Sequence, residues 1–376
     1  METADGPAIA ATSGLVGHSG KFGCRLYCEL PGRRRHEDSH YYPALLKPLD
    51  YHEEGCLHPD VTPDDLIRFN SNTAQRYHDN LKLLLKARNP TQYNKQRVDT
   101  SIVKQTILLG LPSRPDVPNL FVLDAMHWSA INKPDEFFAL WRATINVYPP
   151  DSRDSWDWAV LEGKKWDRHG KTVDLSRKFI PPPWGTPRDP TKKLQTKYKA
   201  IKKLMYLYGL APPLLHNILP KRYWLHFCKY ITGSKLLLGW KVAPEDLIKG
   251  NWLMLEALFE FEELYIQPHP EQIHFARQST HIDDHVTKEI VCYSPPACYS
   301  QWTTENAIEN LEREQNQHQN PFMNIAQQAV PRVQVNTITA LYPEKLPSQT
   351  QDAQLPRGSE EVGNGYALLR PLDSTS

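Results

Sequence analysis

The chain has 376 residues, 40% apolar and 23% charged, with ten tryptophans, seventeen tyrosines and 32 prolines, so it can bury a real core through short helices and long connections. A formal net charge of +1 excludes global electrostatics as a driver of nucleic-acid binding. No apolar run approaches the roughly 18 residues that span a bilayer, and six cysteines without a secretory signal favour reduced thiols or metal ligands over disulfides, so a soluble intracellular protein is expected.

Residues 1–23 are small and glycine-rich, with residues 9–16 too short and broken for a helix or strand of their own, and the segment reads as the remains of a sheet edge. Cys24 and Cys28 follow in Gly-Cys-Arg-Leu-Tyr-Cys, close enough for both thiolates to reach one Zn2+ if the loop turns tightly. Two more ligands are then required. Cys56 with His58 can supply them, as can His281 with His285, which stand one helical turn apart; spacing alone does not choose. The competing reading is of ordinary buried cysteines and surface histidines.

Thr62-Pro63-Asp64-Asp65 is a capped helix start, and Leu66, Phe69, Tyr77, Leu81 and Leu84 continue at helical spacing. The brief apolar run Phe121-Val122-Leu123 leads into Asp124, and Pro134-Asp135-Glu136 opens a helix through Trp141. Asp124 and His127, in Leu-Asp-Ala-Met-His-Trp, combine a carboxylate and an imidazole beside an aromatic ring, a set suited to metal binding, proton transfer or base stacking. The plainer reading makes Asp124 a helix cap and His127 its hydrogen-bonded neighbour.

Pro181-Pro182-Pro183 is a rigid linker. After it, Lys192, Lys193, Lys197, Lys199, Lys202 and Lys203 alternate with Leu194, Tyr198, Ile201, Met205 and Tyr208 as a basic amphipathic helix. Together with Arg33-Arg34-Arg35 and Lys164-Lys165, and with Trp156, Trp158, Trp166, Tyr206 and Trp224 interleaved, these cations suit phosphate contact and base stacking. The alternative is a solvated helix face over a tryptophan core. A further helix is predicted over residues 251–266, with Leu253, Ala257, Phe261 and Leu264 on one face and Glu256, Glu260 and Glu263 on another. Glu305 falls in the first turn of a helix marked by Ile308 and Leu311, where a carboxylate can face a metal or simply complement the helix dipole. From about residue 343 the composition turns to Ser, Gln, Pro, Gly and Glu, which predicts a disordered tail.

The run from Gly17 to Cys28 and Ser-His-Tyr-Tyr-Pro-Ala-Leu-Leu-Lys-Pro from Ser39 to Pro48 resemble CACTA-type DDE transposases of fungal mobile elements. Further landmarks agree in order: Asp124 to His127, Asp154 to Leu161, Tyr223 to Lys229, and Ser300 to Leu311 around Glu305. The resemblance covers roughly residues 3–343. It implies an α/β chain that is mainly helical here: a partial RNase H-like core interrupted by a large, mostly α-helical insertion. The expected division is a core remnant with the Cys pair (1–30), the insertion (31–270), the His pair and C-terminal core helices (271–342), and the disordered tail (343–376).

The resemblance makes Asp5 the second catalytic carboxylate and Glu305 the last, with the first upstream of Met1, and brings Asp124 and His127 near the cleaved strand. By similarity to the RAG and Transib recombinase core, where a cysteine pair and a histidine pair complete one zinc site, His281 and His285 are the expected partners of Cys24 and Cys28. Two departures stand out. The cysteines have three residues between them where the family usually has two, and the usual Met-Glu-Arg around the last carboxylate reads Thr-Glu-Asn. The implied function is DNA transposition with Mg2+ or Mn2+ at the carboxylates and a structural Zn2+, in the nucleus, as a homodimer on transposon ends and with no membrane association. The alternative is an inactive remnant that only binds DNA or a partner protein.

Overall fold

Ala8, Ala10 and Ala11 lose no side-chain entropy on coiling, and Thr12 and Ser13 return their hydroxyls to the carbonyls of Ala8, Ile9 and Ala10. Residues 6–13 are therefore a helix, α1 (Gly6–Ser13), and not the sheet edge expected from their small size. The helix stops at Gly14, whose φ of +73° places it in the left-handed region. A Cβ there would fall on the Lys104 carbonyl, while Val103 and Lys104 both donate to the Gly14 carbonyl.

The computed structural model describes residues 2–3, 6–110, 116–181, 186–193, 198–314, 320–345, 360–363 and 366–368. They fall into two units, 1–303 and 304–376. In the first, β1 (Glu2–Thr3) precedes α1, and the hairpin β2 (Arg33–Arg34) and β3 (Tyr41–Tyr42) follows it. The capped start at Thr62 is observed: its hydroxyl and the Asp65 carboxylate form a capping box over α2 (Pro63–Phe69). The helical spacing then continues in a separate helix, α3 (Thr73–Leu85), because Asn72 adopts φ +54° and breaks the run. After α4 (Pro90–Thr100), the apolar run forms β4 (Phe121–Val122), parallel to β1 with Glu2 opposite Phe121 and Thr3 opposite Val122.

From here the chain is helical: α5 (Lys133–Trp141), α6 (Gly163–Leu175), α7 (Pro190–Lys193), α8 (Ala200–Met205), α9 (Ala211–Leu215), α10 (Lys221–Leu237) and α11 (Pro244–Phe261). The lysine-rich segment is two short helices, since Lys199 is extended between α7 and α8; residues 194–197 lie outside the described residues. Gly233 and Gly250 let α10 and α11 approach closely: a Cβ added at Gly233 would meet Leu253 and Met254 at 3.1 Å, and one at Gly250 would meet Leu237 at 2.7 Å. Two helices carry the histidines: α12 (Gln278–His281) and α13 (Val286–Cys292), joined by a 3-10 turn. The protein is mainly helical; among the described residues its strands form only two-stranded pairs.

The main core joins α5, α6, α10 and α11 through Phe137, Trp141, Trp166, Phe227 and Phe261. Trp156, Trp158, Trp166 and Tyr206 are buried in it, and Trp224 donates its indole N–H to the Pro212 carbonyl. The first four rings are core and Trp224, half-buried, packs against it, so the reading of the buried four as base-stacking surfaces is corrected. At the end of α11, Glu262 is buried and accepts the backbone N–H groups of Leu45 and Leu46 at 2.7–2.9 Å. Burial pushes this carboxyl up to about 7 against those donors and Arg33.

In the second unit, α14 (Trp302–Glu314) enters from residue 302, followed by α15 (Pro321–Leu341). The tail expected to lack structure carries an antiparallel pair, β5 (Glu360–Gly363) and β6 (Tyr366–Leu368). Composition hid it; the sequence between the strands is Asn-Gly, the strongest short hairpin signal. Among the described residues no helix is long and apolar enough to cross a membrane.

Gly14→Ala is expected to destabilise the fold by more than about 1 kcal/mol, because it combines a left-handed φ with a backbone clash. Gly6→Ala, with nothing within 4 Å of the added Cβ, serves as a neutral control, and paired thermal melts separate the two. Glu262 binds its proton more tightly folded than unfolded, so its contribution to stability is present below the ordinary carboxylate range and is lost as pH rises through about 7. Denaturation between pH 5 and 8 should show this loss, with a smaller slope in Glu262→Gln.

Candidate metal centre

The Cys24–Cys28 loop turns tightly. Tyr27 donates its N–H to the Cys24 carbonyl at 2.9 Å and has φ +54°, uncommon for a residue with a side chain. Helix α3 holds it there. Arg76 donates to the carbonyls of Tyr27 and Cys28 at 2.8 and 3.0 Å, Asn80 reaches the Tyr27 hydroxyl at 2.9 Å, and the Tyr27 and Tyr77 rings meet edge to face. Both sulfurs thus point away from solvent into an apolar pocket with Leu26, Leu30, Leu66 and Leu258.

The two histidines arrive from 253 and 261 residues away. His281 ends α12, the 3-10 turn follows, and His285 opens α13, so both imidazoles face the sulfurs. Cys24 Sγ lies 3.0 Å from His285 Nε2, Cys28 Sγ 3.2 Å from His281 Nε2, and the two Nε2 atoms 3.0 Å apart. All four donor atoms fall within 4.8 Å of one another, and all four residues are buried. Two sulfurs and two ring nitrogens are the donor set of a structural zinc site, in which donor pairs stand roughly 3.3–3.8 Å apart around the ion. The set fits Zn2+ with a slight expansion.

Charge supports the same assignment. Burial opposes ionisation of Cys24, but the Cys28 hydrogen bond and the two imidazoles prevail and hold its thiol well below the ordinary range. Cys28 is pushed well above that range by burial and by the neighbouring Cys24. Zinc binds cysteine as thiolate, so a metal here displaces the Cys28 proton. Behind the ligands, Asp284 Oδ2 accepts from Asn70 at 2.7 Å and lies 3.6 Å from His285 Nδ1, too far for a hydrogen bond, so it adds negative charge beside the ring.

Of the two candidate partner pairs, His281 and His285 complete the cluster. Cys56 is buried in the main core, and burial and Arg33 lower the half-buried His58 to about 3. Two residues with no part in the sequence reading belong to the surroundings of the centre. Glu289, buried, forms an ion pair with Arg25 and accepts the Leu123 N–H at 2.7 Å. Asp283, buried, pairs with Lys133 at 2.8 Å and accepts the Trp128 indole N–H at 2.9 Å. The spacing His281, His285, Glu289 is a one-face helical signal that could have marked Glu289.

Asp124 and His127 are in direct contact through Oδ2 and Nδ1. Asp124 also accepts the N–H groups of Met126 at 3.1 Å, His127 at 3.2 Å and Gln301 at 2.9 Å. It caps the helical segment that runs through the π-helical turn His127–Asn132. Burial pushes its carboxyl up, and the hydrogen bonds from His127, Gln301 and Met126 outweigh that and hold it below the usual range. Asp5 lies outside the described residues, and Glu305 stands in the first turn of α14. Among the described residues, the Cys-His cluster is the one group of three or more potential ligands that converges.

The basic candidates divide. Arg33 is fully buried, its guanidinium spent on the carbonyls of Leu45, Cys56, His58 and Pro59, so it cannot reach a phosphate. Its role in nucleic-acid contact is corrected to loop bracing. Arg35 is engaged by Asp38 and lies over the Tyr148 ring, and Arg34 lies over Tyr41. Lys192 and Lys199 are exposed, Lys193 closes α7, and Lys197 lies outside the described residues. Fold and site together define a mainly helical protein with a buried Cys2His2 cluster that could hold a metal such as zinc. No protein-family model matches the chain, and no curated protein matches its sequence.

Mass spectrometry under native conditions is expected to find one zinc per chain, lost in Cys28→Ser and in His285→Ala and retained in Cys56→Ser. Because binding displaces at least the Cys28 proton, apparent zinc affinity should rise about tenfold or more per pH unit near neutrality, measured by competition with a chelator.

Proposed function

We propose that the chain is part of a DDE-type DNA transposase, in which zinc staples both ends of a helical insertion to an RNase H-like core. The observation that carries this reading is the meeting of Cys24 and Cys28 with His281 and His285, the four ligands that the resemblance to CACTA-type and RAG-like enzymes implies. The parallel pair β1 and β4, with Asp124 just beyond β4, is consistent with a fragment of such a core. Asp5 and Glu305 are then the residues to hold Mg2+ or Mn2+, which would activate water or a 3′-hydroxyl for attack on a phosphodiester. The oxygens of Asp124 are already taken by backbone N–H groups and His127, so its part is to orient that imidazole. Lys192 and Lys199 are the exposed cations for DNA. A nuclear location and a homodimer on transposon ends belong to the same reading.

The capping role of Asp124 favours a second reading, a transposon-derived remnant that binds DNA without cutting it. Supercoiled plasmid, incubated with the purified chain and Mn2+, distinguishes the two. Nicking that Glu305→Ala abolishes, with salt-sensitive binding intact, supports the transposase reading. Binding with no nicking is expected of the remnant, as of any chain without the first carboxylate. A chain that neither binds nor nicks excludes both.

A further inference from the structure

The segment that carries the two histidine ligands also carries two buried carboxylates, and both reach the same short stretch of chain. Asp283, between His281 and His285, accepts the indole N–H of Trp128 at 2.9 Å and is neutralised by Lys133 at 2.8 Å. Glu289, one helical turn after His285, accepts the backbone N–H of Leu123 at 2.7 Å and is neutralised by Arg25, which follows the ligand Cys24. Leu123 and Trp128 bracket Asp124 and His127. The metal-binding segment therefore grips the Asp124–His127 turn at both ends through two separate carboxylates, each buried to 5% exposure or less.

From this geometry we propose that metal occupancy positions the Asp124–His127 pair, with Glu289 and Asp283 as the positioning residues that transmit it. This coupling depends on the metal centre alone and holds whether or not the chain acts on DNA. Without a cation, two Nε2 atoms 3.0 Å apart and two sulfurs within 3.2 Å of them have no common counter-charge, and the turn between α12 and α13 loses its tie to the Cys24–Cys28 loop. Asp283 and Glu289 lie on that turn and on the first two turns of α13, so their hold on Trp128 and Leu123 moves with it. Arg25 is drawn away as well, because it belongs to the cysteine loop. A buried carboxylate is costly to leave unpaired, so each grip holds only while its cation, Arg25 on the cysteine loop or Lys133 on α5, stays in register with the metal-binding turn.

Hydrogen–deuterium exchange on the full-length chain, zinc-loaded and after chelation, tests this. Removal of zinc should speed exchange at residues 121–130 by about tenfold or more while α6, remote from the centre, is unchanged, and zinc should restore protection. In zinc-loaded Glu289→Gln, faster exchange should be confined to residues 121–124, and in Asp283→Asn to residues 126–130, with one zinc still bound. Should either variant fail to fold, the wild-type comparison decides alone. Unchanged exchange at 121–130 after chelation overturns the proposal. So does an equal rise in α6, which would make the metal a brace for the whole fold, and so does a purified chain that binds no zinc.

Discussion

Four soft or borderline donor atoms, packed within 4.8 Å of one another and sealed from water, form the constraint on which the first unit depends. Sulfur and imidazole in such a space repel or compete for protons unless a cation lies between them, and the unequal hold on the two thiols expresses that competition. The chain that separates the donors, more than 250 residues long, must close a loop whose entropy no single hydrophobic contact offsets. One tetrahedral ion can close it, because its binding energy is then folding energy.

Around that closure the buried charges are arranged in compensated groups. Lys133 answers Glu136 and Asp283, Arg25 answers Glu289, and the two terminal nitrogens of Arg33 donate to four carbonyls. Pairs of this kind add little net stability over apolar packing, but each is costly to break, and so they specify which segments lie together. The same logic explains why the candidate pair Asp124 and His127 is held from several sides. A helix cap, a strand end and the metal-binding turn all draw on its immediate neighbours.

The local features of the sequence translated directly. The capping box at Thr62 and Asp65, the start of α5 at Pro134 and the long helix ending near residue 266 depend on neighbours within a turn or two, and the structure has all three. Where a local cue was ambiguous, competition decided. Alanine content made residues 6–13 a helix although their small size suggested a sheet edge, and the left-handed Asn72 split one predicted helical region into two. The tryptophans near the lysines could serve a core or a surface; burial of their large apolar area placed them in the core.

The sequence by itself determined the ligand types, since only Cys and His at these spacings offer a structural zinc set; spacing left two partner pairs open, and the family resemblance pointed to His281 and His285. The choice of His281 and His285, the burial of Arg33 and the grip of Asp283 and Glu289 on the Asp124–His127 turn were decided by tertiary structure. Each depends on groups brought together from distant parts of the chain, as with Glu289 and Leu123, 166 residues apart. Periodicity and capping report only what a residue meets within its own helix or turn, whereas desolvation and charge pairing depend on what the whole fold packs against it.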